Sequence, residues 1–88
     1  MEEELIEEMR QEIRDNLKFA LKFNKPFVYK VGLLDLVFDP EKNALNMSRA
    51  DLERPQPMAL PPGATMSNNY ELLEKAIATN IVRTKNNL

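Results

Sequence analysis

The sequence predicts an α+β fold: a long N-terminal helix, a small antiparallel β-meander of two or three strands, a Pro-rich loop and a C-terminal helix. Three observations carry this prediction. Apolar residues recur at threes and fours over residues 2–23 and again over 70–82. A β-branched and aromatic run with two-residue alternation lies between them at 27–38. Four of the six prolines fall within 55–67, where no regular element is expected.

The first helix is drawn by Leu5 or Ile6, Met9, Ile13, Leu17, Ala20 and Leu21. Asn24-Lys25-Pro26 ends it, because proline cannot continue a helix and biases the residue before it toward an extended backbone. The strand region alternates as Phe27, Tyr29, Val31, Leu33 and then as Leu34, Leu36, Phe38, slipping phase beside Gly32. Such a slip at a lone glycine predicts a β-bulge, with a tight turn between two strands as the alternative. Asp39-Pro40-Glu41-Lys42-Asn43 reads as a turn, so Leu36–Phe38 should pair with Ala44–Met47. Ser48-Arg49-Ala50-Asp51 resembles a helix-starting box and predicts a short turn through Glu53. Asn68 or Asn69 caps the second helix, whose stripe is Tyr70, Leu73, Ile77 and Ile81, widened by Leu72, Ala76 and Val82.

Composition narrows the chemistry. The 88 residues contain neither Cys nor His, which removes disulfides, thiolate metal sites and every nucleophile–histidine arrangement. Carboxylates, Lys and Tyr remain. Asp35 and Asp39 with Glu41 offer a thin basis for a divalent cation, but Asp35 falls on the outer phase of its strand and Asp39 opens a turn, a favoured position for Asp. Gly32 and Gly63 stand alone and match no phosphate-cradling loop. No cofactor and no catalytic residue is expected, and the chain reads as a non-enzyme.

Net charge is −2, so the whole protein has no electrostatic pull toward nucleic acid or anionic lipid. The charge is unevenly placed. Seven acids lie within residues 2–15, whereas Lys18, Lys22, Lys25 and Lys30 follow with no acid among them. Helix-dipole complementarity accounts for most of that order. The acidic start and the lack of a long apolar run predict a cytoplasmic protein with no membrane segment.

A domain this small buries only roughly 60% of its unfolded surface, which makes oligomerisation an expectation. Ile6, Met9, Ile13 and Leu17 nearly form a heptad seam and are the predicted oligomer interface, although the same stripe could simply cover the sheet. Met58, Leu60 and Met66, around the prolines, are the predicted site for a second protein. The function expected is therefore an oligomeric interaction or accessory protein, in the style of a phage- or mobile-element-encoded modulator of a host protein. The competing expectation is binding of nucleic acid or a small anion by Lys18, Lys22, Lys25 and Lys30 with Arg83 and Lys85, which the net charge disfavours.

Overall fold

The computed structural model describes residues 1–49, 54–61 and 69–87. Its elements run α1 (Glu2–Lys22), β1 (Phe27–Val31), β2 (Leu34–Asp39), β3 (Ala44–Arg49), β4 (Gln56–Met58) and α2 (Tyr70–Asn86). The strands form one antiparallel sheet in the order β1-β2-β3-β4, so the fold is α+β with one strand more than the sequence predicts. The extra strand arises inside the proline segment. Gln56-Pro57-Met58 pairs with Leu45–Met47 at the sheet edge, where a strand tolerates a residue without an N–H.

Glu2, Glu3 and Glu4 occupy the first turn of α1, where acids suit the positive end of the helix dipole. The helix closes through Asn24, whose φ of 52° is left-handed. The Lys25 amide then donates to the Ala20 carbonyl (2.9 Å) and the Asn24 amide to that of Leu21 (3.3 Å), which is the Schellman pattern. Pro26 follows and prevents any continuation.

Gly32 marks a tight turn and not a bulge. Val31 pairs with Leu34, leaving Gly32 and Leu33 as a two-residue loop with Gly32 at φ 61°. Glycine with positive φ at the first loop position matches the II′ hairpin, whose twist suits antiparallel strands. The loop also explains the phase slip, because partners Val31 and Leu34 stand three residues apart yet face the same way. Leu33 is consequently exposed at the tip. At the next turn Asp39 Oδ1 accepts from the Glu41 amide (3.0 Å) and Asn43 takes φ 50°, as its turn chemistry predicts. Phe38 then pairs with Leu45 and Leu36 with Met47, the expected register. Ser48 and Arg49 continue β3 and do not open a helix; residues 50–53 of that expectation lie outside the described residues.

The inner face of the sheet carries Phe27, Phe38, Leu45 and Met58 across its four strands, with Leu36 and Val31 beside them. Both helices pack there. Ile13, Leu17, Leu73, Ile77 and Ile81 meet Leu36 and Phe38 in a core that excludes water almost completely. At about 25 cal/mol per Å² of apolar surface, each such side chain contributes roughly 1.5–3 kcal/mol. The outer face carries Val28, Val37, Asn46 and Pro57 in one row and Lys30, Asp35 and Ser48 in the next. No helix among the described residues is long and apolar enough to cross a membrane.

Candidate interaction surface

α2 begins at Asn69, whose side-chain Oδ1 accepts from the Leu72 amide (3.1 Å). This cap fixes the first turn and sets Tyr70 and Glu74 toward α1. Glu74 is 1% exposed and takes four hydrogen bonds: from Arg10 Nε (2.9 Å), Arg14 Nε (3.0 Å), Arg14 Nη2 (2.9 Å) and the Tyr70 hydroxyl (2.7 Å). Desolvation pushes the Glu74 carboxyl upward, but the bonds from Arg14, Tyr70 and Arg10 outweigh it and hold the group at about 2. Burial and the bond to Glu74 raise the Tyr70 phenol well above its ordinary value. Neither group exchanges a proton near neutrality, so this knot clamps the helices together and offers no acid–base pair.

Sequence reasoning passed over Glu74. The legible signal was its position, four residues after Tyr70 and three before Ile77, inside the apolar stripe. Arg10 and Arg14 carry the matching signal, one turn apart on α1.

The predicted oligomer seam is occupied from within. Ile6, Met9, Ile13 and Leu17 are all buried and belong to the core of the chain itself, because α2 lies against the stripe they form. A second chain could reach them only by displacing α2. The exposed apolar surface of α1 lies one stripe away, where Leu5, Phe19 and Phe23 recur with Glu12 at helical spacing. Phe19 and Phe23 are 58% and 51% exposed, with ring centroids 4.6 Å apart and planes tilted by 47°. The Lys22 ammonium stands 5.6 Å from the Phe23 centroid. Two phenyl rings in mutual contact and left in water are uncommon on a surface with no partner, since each buries a large apolar area when covered.

Glu12 locates this stripe relative to the sheet. It accepts a hydrogen bond from the Tyr29 hydroxyl on β1, and Lys85 Nζ donates to the same hydroxyl (3.0 Å) while sitting over the ring. Burial and the bond to Glu12 raise the Tyr29 phenol, with Lys85 pulling the other way. The Phe19–Phe23 stripe therefore lies on the β1 side of the molecule. β1 is an outer strand, with a neighbour on one side only among the described residues.

The predicted basic residues do not converge. Lys18 sits 5.2 Å over the Tyr70 ring, Lys22 over Phe23 and Lys85 over Tyr29, while Arg83 pairs with Glu2 (3.2 Å). Lys25 lies in the α1–β1 turn and Lys30 on the outer sheet face opposite Asp35. The predicted partner residues divide. Met58 faces inward on β4 and packs on the core, and Met66 lies outside the described residues. Leu60 packs on the core too and helps line a cleft of about 450 Å³ against Leu72, Ala76 and Asn80, where Asn80 Nδ2 donates to the Ala59 carbonyl (3.1 Å). Asp35 and Asp39 do not gather with a third acid: no group of three or more acidic residues able to hold a metal ion occurs among the described residues. No family model, curated protein or solved structure matches the chain.

Proposed function

We propose that this chain is a non-enzymatic interaction protein whose contact surface is the outer stripe of α1 together with the outer edge of β1, which is open among the described residues. The observation that carries the reading is the tilted, half-exposed ring pair Phe19–Phe23 beside an outer strand. Aromatic residues, phenylalanine among them, are enriched in protein–protein contacts, whose rim is polar and solvent-accessible, as Lys22 is beside Phe23. A free strand edge adds unpaired N–H and C=O groups that a second chain can satisfy.

The chemistry of the charged residues supports the same reading. The deepest carboxylate among the described residues, Glu74, is already satisfied by two arginines and a tyrosine. Of the basic side chains, Lys18, Lys22 and Lys85 already rest on aromatic rings and Arg83 on an acid. A contiguous positive groove, which binding to a phosphate backbone needs, is not formed by them.

The test compares proteins retained by the immobilised chain with those retained by the double variant Phe19→Glu/Phe23→Glu, at low and at moderate salt. The reading expects retention that survives moderate salt and is lost in the variant. Equal retention by both forms, or binding that collapses with added salt and tracks the lysines, would refute it.

A further inference from the structure

We infer that the occupant of this surface is a second copy of the chain, paired β1 to β1 across a two-fold axis. The inference rests on the interaction reading above and names its partner. In the hairpin, the closing pair Val31–Leu34 exchanges hydrogen bonds, and the alternation continues through Tyr29–Leu36 and Phe27–Phe38. The backbone groups of Val28 and Lys30 therefore point away from β2, toward the open side. An antiparallel copy centred on Tyr29 brings Val28 of one chain opposite Lys30 of the other and forms about four new backbone hydrogen bonds. Two four-stranded sheets become one continuous sheet, and both open β1 edges disappear.

The same operation acts on α1. Glu12 stands level with Tyr29, so a two-fold axis through Tyr29 places the C-terminal half of one α1 beside the N-terminal half of the other. Phe19 lies seven residues beyond Glu12 and Leu5 seven before it, which sets the exposed Phe19 of each chain level with the exposed Leu5 of its partner. The charges then decide between a second copy and a foreign chain. On the neighbouring stripe, Glu8 and Lys22 are about four helical turns apart and Glu4 lies one turn beyond Glu8, so acids hold one end and Lys22 the other, with Asp15 between them and Lys18 turned to the Tyr70 ring. Reversal against itself brings Lys22 of each chain level with the Glu4 end of its partner, while the two Glu12 side chains meet on the axis, each held by a Tyr29 hydroxyl that Lys85 also contacts. A helix whose charges were mixed along its length would carry no such preference for its own reverse.

The experiment is sedimentation equilibrium of the full chain from about 1 to about 500 μM, in low and moderate salt. A mass approaching twice the 10.2 kDa of the chain is expected. Phe19→Glu, checked for retained fold by circular dichroism, should raise the dimer Kd by roughly tenfold or more. Lys22→Glu alone and Glu4→Lys alone should each weaken self-association, and mixing the two should restore a heterodimer. That rescue reports the antiparallel arrangement even if Phe19→Glu disturbs folding. A wild-type mass of 10.2 kDa throughout, or a dimer that neither Phe19→Glu nor the charge exchange affects, overturns the pairing. Loss of the pairing alone leaves the interaction reading standing, since that reading falls on the retention test and not on self-association.

Discussion

Replacing Glu74 by Gln tests the helix clamp with almost no change of shape. The carboxyl is held at about 2 against an ordinary value of 4.5, so its ionised form is favoured in the folded chain. A depression of that size corresponds to about 3 kcal/mol at neutral pH. Screening reduces it, because the Arg14 side chain is 42% exposed and exchanges its bond to Glu74 for water at little loss. We therefore expect Glu74→Gln to cost about 1.5–3 kcal/mol, with the lower end set by screening and the upper by leaving Arg10 facing an amide. Because the folded-state value is depressed, the stabilisation is complete above the unfolded value and is lost as pH falls from about 5 toward about 2. Urea unfolding of both proteins across that range measures it. The wild type should lose stability on acidification and converge on the variant, whose own acid dependence in this window should be shallower. A variant as stable as the wild type at neutral pH, or an unchanged acid limb, would refute the claim that Glu74 is ionised and clamped.

Three further substitutions address the fold. Ile13→Asp places a charge at a position 1% exposed within the core and should unfold the chain, with circular dichroism as the assay; a folded product would mean that the α1 stripe faces solvent after all. Gly32→Val forces a β-branched residue to φ 61° and should cost more than about 1 kcal/mol in chemical denaturation, whereas the exposed neighbouring change Leu33→Asp should stay within about 0.5 kcal/mol. Asn69→Ala removes the α2 cap and should lower stability by about 1 kcal/mol, read as an earlier urea midpoint with unchanged slope.

Both helices and the β2–β3 register were legible because each rests on local chemistry: apolar spacing, an Asn cap, and a Pro–Asn turn. The bulge at Gly32 was a misreading with a definite cause. A bulge and a two-residue hairpin loop both reset the alternation by one residue, and only the pairing of Val31 with Leu34 separates them. β4 was missed because Pro57 argues against a strand unless the strand is known to be an edge, which is a property of the sheet and not of the segment. The α1 seam shows the same limit in another form. An amphipathic stripe says that Ile13 will be covered, but whether α2 or a second chain covers it depends on where α2 lies. What the helical wheel did contain was the second, wider set of Leu5, Phe19 and Phe23, set apart from the narrow seam and left uncovered by α2. Glu74 was hidden for a related reason, since its neutralising arginines lie 60 and 64 positions away along the chain.

The central claim is that two copies of the chain pair through the β1 edge and the α1 outer stripe. Amide hydrogen exchange of Val28 and Lys30, followed at increasing protein concentration, tests it most directly. Their N–H groups point away from β2, so in the isolated chain they should exchange far faster than those of Tyr29 and Val31. The account predicts that protection of Val28 and Lys30 rises with concentration until it approaches that of Tyr29, and that Phe19→Glu abolishes the rise. Fast exchange at both amides at every concentration, with Tyr29 and Val31 protected throughout, would contradict it.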